Sequence, residues 1–274
     1  MYRLLLLLII IPFINVAQTN DEFLTNFYFK NFYEKGEKTY FEGNLNNAIN
    51  ILTEGINTKS NSMSIYNSYW IRCCHHLRGM IYIELYNNDE NGIKSNDKKD
   101  LTAYEEQEYL EKAYSDFTIA RELQKKSIQA DDYWGVNETY TYESWQGQAL
   151  MKLGTLLDNN LYLDSALIHL SKAHIVLTNP QLRGTDLTQQ HYKDFMVILL
   201  CKLGINTKLG NNKEVIKDAG MYLEIFEKYD VGTTGFVYYT RGLAKKSAGL
   251  SFCSDYKKAC KANHKCDEYW EHCD

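Results

Sequence analysis

The sequence predicts an all-α protein built of helical hairpins, and three observations carry that reading. Only two prolines, Pro12 and Pro180, occur in 274 residues, so little interrupts long helices. Glycine and alanine recur at spacings of three, four and seven, which lines small residues up on one helical face. The chain holds 22 tyrosines, many at helical spacing. Tyrosine has an apolar ring and a polar tip that seeks a partner, and shallow helix–helix seams absorb it better than a deep dry core. Helix is expected for most of residues 22–273, with no sheet of three or more strands.

The N-terminus predicts export. Arg3 precedes an unbroken apolar run, Leu4 to Ile11, extended by Pro12, Phe13 and Ile14. The run is shorter than the ~20 apolar residues that span a bilayer, so residues 1–17 read as a signal peptide cut between Ala17 and Gln18. The alternative for the same segment is an uncleaved anchor. After cleavage no membrane span is expected in residues 18–274. The net charge is −5 with both signs scattered, and no basic stripe marks a nucleic-acid surface.

Internal repetition organises the rest. From Phe32 to Ile56, Gly36 lets two helices approach, and Gly43 ends the first helix as a C′ glycine. Ala48, Leu52 and Gly55 then share a face of the second helix. This segment resembles the tetratricopeptide repeat, whose small, glycine, alanine, bulky and small positions fall at these offsets. A second unit has Arg78-Gly79 and Tyr82, closed by Ala113, Phe117 and Ala120. Between its halves, residues 87–108 read as an inserted loop or a helix extension. A third unit runs from Gly147 and Gly154 to Ala166, Leu170 and Ala173, with Asp164 or Ser165 placed to cap its second helix. A fourth, weaker unit uses Leu203, Gly210, Val215 and Ala219, and a fifth Gly242, Gly249, Asp255 and Ala259. The resemblance covers about residues 25–273 and implies a single domain, 18–274, of about five degenerate repeats stacked as a helical-hairpin solenoid.

Four of the seven cysteines crowd the C-terminal end: Cys253, Cys260, Cys266 and Cys273. The string from Ala248 to Cys260 with the two later cysteines resembles the ending of exported repeat proteins of Bacteroidetes, which implies an envelope or extracellular setting. Residues seven apart on a helix are separated by ~10 Å of rise, beyond the ~7 Å reach of a disulfide. Pairing within either helix is therefore excluded, provided both segments are helical. In an antiparallel hairpin facing residues share a constant sum of residue numbers. Cys253–Cys273 and Cys260–Cys266 have the same sum, so the expected arrangement is a ladder stapling the last hairpin. A zinc site with His264 or His272 is the alternative, against which the absence of tighter ligand pairs counts. Cys73, Cys74 and Cys201 read as buried small hydrophobes.

No nucleophile elbow, phosphate-binding loop or metalloprotease motif occurs, so no catalysis, cofactor or metal is expected. Cys74-His75-His76 reads as a partly exposed pair of helical histidines rather than a metal site. The family resemblance places the binding groove on the first helix of each hairpin. The matching positions are Tyr33, Glu37 and Tyr40 in unit one, and His76, Met80 and Ile83 in unit two. Unit three supplies Ser144, Gln148 and Met151, with Lys152 adjacent, and unit five supplies Tyr239, Leu243 and Lys246. Such side chains suit an extended protein or peptide partner; the plain alternative is that they pack between hairpins. A carbohydrate-binding component of an envelope uptake system is the rival function, favoured by the many aromatic rings.

Overall fold

The computed structural model describes residues 28–58, 65–87, 101–129, 139–179, 188–229 and 234–273. The expected signal segment 1–17, Pro180 and residues 88–100 of the insertion lie outside them. The described residues form eleven α-helices and no strand. They are α1 (28–41), α2 (Leu45–Asn57), α3 (Ile65–Asn87), α4 (Ala103–Gln129), α5 (Thr139–Leu156) and α6 (Asn160–Thr178). Then follow α7 (Gln189–Lys208), α8 (Asn212–Tyr229), α9 (Gly235–Ser247), α10 (Cys253–Lys261) and α11 (Cys266–Cys273). The chain divides into two compact units, Met1–Trp145 and Gln146–Asp274, the division falling within α5.

In the first unit α1 pairs with α2 and α3 with α4. A Cβ on Gly36 would lie 2.7 Å from Leu52 Cδ2, and one on Gly55 2.8 Å from Phe32 Cβ; hydrogen at both places lets the helices touch. Gly43 adopts φ +78°, and Asn44 N–H reaches back to Thr39 O at 3.2 Å, which ends α1. Ala48, Leu52 and Gly55 are buried as their spacing requires. Around them Tyr40, Leu45, Leu77 and Ile81 close a core that joins α1, α2 and α3. In the second hairpin Gly79 lies under Phe117, 2.8 Å from its would-be Cβ. Thr102 and Glu105 form a capping box at the start of α4: Thr102 N–H donates to Glu105 Oε2 at 2.9 Å, and Glu105 N–H to Thr102 Oγ1 at 3.3 Å. Residues 103–108 of the expected insertion are therefore helix.

The second unit contains the remaining hairpins. Gly147 faces Leu170 and Gly154 faces Leu163, with would-be Cβ distances of 2.6 and 2.7 Å. One sequence expectation changes here. α5 continues past Gly154 to Leu156, and Asp158 takes the left-handed position, φ +47°. Asn159, not Asp164 or Ser165, caps α6, accepting from Leu161 N–H at 2.9 Å. The reason is local: an Asp and an Asn in succession supply both the left-handed residue and the cap, so the hairpin is longer than α1/α2. Ser165 instead bonds back to Leu161 O at 2.8 Å inside α6. Leu199, Leu203, Val215, Ala219 and Tyr222 form the core of α7/α8 and extend to Val237 and Ala244 of α9. At the C-terminal end Cys253–Cys273 and Cys260–Cys266 are disulfides, with Cα–Cα distances of 5.5 and 4.3 Å. These are the pairs that share one sum. Cys73, Cys74 and Cys201 form no disulfide among the described residues, and Cys74 is buried.

A buried ion pair recurs through the hairpins. Asp116 accepts from Arg78 Nε and Nη2 at 2.8 and 2.7 Å, and lies 2.7 Å from His75 Nδ1. Asp255 accepts from Arg241 at 3.1 and 2.7 Å and lies 2.8 Å from Lys245 Nζ. Asp218 accepts from Lys202 at 3.1 Å and Asn206 at 3.3 Å. In each case the base immediately precedes Gly79, Gly242 or Leu203, and the acid immediately precedes Phe117, Tyr256 or Ala219. Gln146 and His169 occupy the same places in α5/α6. His75, expected to be partly exposed, is buried at 5 % exposure. The Asp116 carboxylate supplies the partner that makes that burial tolerable.

Candidate functional site

The first helices of successive hairpins, α1, α3 and the start of α5, enclose a pocket of about 370 Å³ within the first unit. Tyr33, Glu37, Tyr40 and Phe41 come from α1; Tyr69, Cys73, His76, Leu77 and Met80 from α3; Thr141 and Tyr142 from α5. On α1 the residues fall at i, i+4 and i+7, and on α3 at i, i+4, i+7 and i+11, so each helix presents one stripe. Phe41 stands at the rim, 72 % exposed, whereas Tyr142 is 2 % exposed.

The polar groups are already engaged. Tyr33 donates to Glu37 Oε1 at 2.7 Å, and Tyr40 donates to Glu84 Oε2 at 3.1 Å. Burial, then the bond to Glu37, raises the Tyr33 phenol well above its ordinary range. Tyr40 rises likewise through burial and the charge of Glu84. Both phenols therefore stay neutral. His76 sits edge-on to Tyr142 and Phe117 at centroid distances of 5.1 and 5.8 Å, and its Nε2 is buried with no hydrogen-bond partner. Burial, then the cation of Arg72, pushes its imidazole down to about 4, so it is neutral at neutral pH. Arg72 is buried beneath the site with its guanidinium 4.9 Å from the centre of the Tyr69 ring.

Five residues that the sequence nominated, Tyr33, Glu37, Tyr40, His76 and Met80, thus meet in one cavity. Ser144 is buried and lies outside the lining. Gln148 and Lys152 are half-buried on α5 in the second unit. Tyr239 stacks on Tyr256 at 5.7 Å and meets His264 edge-on at 5.4 Å. Lys246 lies 5.7 Å from the centre of the Phe252 ring. Both of the last two pack on the terminal hairpin. The sequence reading missed Phe41, Tyr69, Cys73, Leu77, Thr141 and Tyr142. A signal existed for two of them: Cys73 and Thr141 each lie six residues before the small residue of their unit, Gly79 and Gly147.

Among the described residues no cluster of three His, Cys, Asp or Glu side chains is placed to hold a metal ion, and no helix is long and apolar enough to cross a membrane. The cysteines of the alternative zinc site are all in disulfides. No protein-family model matches the chain, and no curated protein matches it in sequence.

Proposed function

We propose that this chain is an exported scaffold of the tetratricopeptide type that binds a protein or peptide through the face formed by its first helices, without catalysis of its own. The observation that carries the proposal is the pocket: Tyr33, Glu37 and Tyr40 of α1 converge with His76 of α3 and Tyr142 of α5 on one cavity. A face made from successive first helices suits an extended chain, with the pocket as an anchor for one side chain. Disulfides form and persist in oxidising compartments, so the two bridges favour the periplasm or the outside of the cell. A host that exports the protein should yield a mature chain beginning at Gln18, readable by intact mass.

Peptide display against the full chain tests the binding reading. Recovered peptides are expected to bind Ile168→Ala, altered on the exposed face of α6, and to lose affinity for Tyr69→Ala. Peptides that bind both variants equally would remove the face from consideration. Tyrosine rings also stack on sugars, so a glycan array that responds where the peptide library does not would favour the carbohydrate reading.

A further inference from the structure

We infer that the tyrosine-lined pocket of the first unit takes a cation, the ammonium or guanidinium of a basic side chain of the bound partner. The identity of the cation's owner rests on the peptide-binding reading; the pocket's preference for positive charge rests on the geometry.

Three features set that preference. The hydroxyl protons of Tyr33 and Tyr40 are committed to Glu37 and Glu84, so these phenols present oxygen lone pairs and ring faces to an occupant, and no further donor. Glu37 alone among the described lining residues carries formal charge while His76 is neutral. Five tyrosine and phenylalanine rings (Tyr33, Tyr40, Phe41, Tyr69 and Tyr142) share the lining with Cys73, Leu77, Met80 and Thr141, and an aromatic face attracts a cation through its quadrupole. Of the nearby charges, Glu84 is bonded to Tyr40 and Arg72 lies against the Tyr69 ring; they are of opposite sign, and Glu37 is the charge within the lining itself. A carboxylate in this cavity would meet Glu37 and acceptor oxygens at once. At about 370 Å³ the space lies near the lower limit for ligand pockets, which suits one side chain.

The full chain labelled at methionine methyls supplies the readout, because Met80 lines the pocket while Met196 is buried in the second unit. Titration with n-butylammonium and with ethylguanidinium is expected to move the Met80 methyl resonance saturably and leave Met196 in place; butyrate is expected to move neither. Glu37→Gln keeps an acceptor for Tyr33 but removes the charge, and should weaken both cations by about 5-fold. Tyr69→Leu, which removes a ring face, should weaken them as well, with circular dichroism and the urea midpoint verifying that each variant is folded. Equal shifts with butyrate or uncharged butanol, or cation binding indifferent to Glu37→Gln in a folded protein, would overturn the inference. Peptides that bind the face but neither favour lysine or arginine nor respond to Glu37→Gln would overturn it while leaving the peptide reading standing. Cation binding in a chain whose face holds no peptide would leave the pocket's preference intact and remove the peptide reading.

Discussion

Arg78 and Asp116 meet through two hydrogen bonds of 2.8 and 2.7 Å between α3 and α4, and Arg78 Nη1 also donates to Thr53 of α2 at 2.8 Å. One guanidinium thus ties three helices. The carboxylate is 2 % exposed. Removing it by Asp116→Ala strands Arg78 and His75, and the expected loss is about 3–5 kcal/mol, read as a lower urea midpoint. Arg78→Met with Asp116→Leu removes both charges and should cost less than Asp116→Ala alone. If the double variant is the weaker of the two, the pair contributes net stability and the expectation fails.

The equivalent acids of the second unit titrate in opposite senses. Burial raises Asp255, but the bonds from Arg241 and Lys245 outweigh it and hold the carboxyl below its ordinary range. Burial dominates at Asp218, where Lys202 is the nearest cation, and the carboxyl is raised. For Asp255 the stabilisation is present above the unfolded value and is lost as pH falls through the depressed folded value. The deficit of Asp255→Asn should therefore be largest near neutral pH and shrink in acid. For Asp218 the sign reverses: its contribution is lost as pH rises through the raised value, so Asp218→Asn should gain on the wild type in that direction. Urea unfolding at a series of pH values separates the two, and parallel profiles would contradict both.

Much of this fold was legible in spacing. Gly36, Leu52 and Gly55 announced a close antiparallel pair because the small-to-bulky contact needs those offsets. The cysteine ladder followed from hairpin geometry alone. What spacing hid was polar. Asp116, Asp218 and Asp255 look like surface residues one at a time, and only the recurrence of a base just before Gly79, Leu203 and Gly242 and an acid just before Phe117, Ala219 and Tyr256 marks them as interior. Asp158 was hidden for another reason: Gly154 follows Gly147 by seven residues, as Gly43 follows Gly36, yet it serves helix contact with Leu163. At the pocket, Tyr33, Glu37 and Tyr40 of α1 and His76 and Met80 of α3 were readable from spacing, whereas Tyr142 required knowing how α5 meets α3.

Glycine positions separate contact from propensity. At Gly147 a Cβ would lie 2.6 Å from Leu170 Cγ and 3.2 Å from Ala166 O, and Gly147→Ala is expected to cost about 1–3 kcal/mol through overpacking. Gly204 is also helical, yet nothing lies within 4 Å of its would-be Cβ. Gly204→Ala should raise stability by up to about 1 kcal/mol. Thermal melts of the two variants check the contrast, and equal effects would argue against the close approach.

The outer bridge spans 20 residues and the inner one 6. Cys273→Ser should cost up to about 3 kcal/mol by loop entropy, and Cys266→Ser less. Three thiols should titrate in the unfolded, unreduced protein. In the folded protein burial pushes the Cys74 and Cys201 thiols up to about 12, so alkylation there should be slow at neutral pH. A fourth titrating thiol would mean an open bridge.

The staple also governs what a protease achieves. Lys261 and Lys265 lie between Cys260 and Cys266 and are exposed, and both bridges enclose that turn. Cutting after either lysine severs the backbone but frees no fragment, because the two arms remain joined twice. Such a nick adds one water to the mass, and the pieces separate only when the protein is reduced. A chain stapled this way can be clipped at these exposed lysines and still hold its terminal hairpin in one piece.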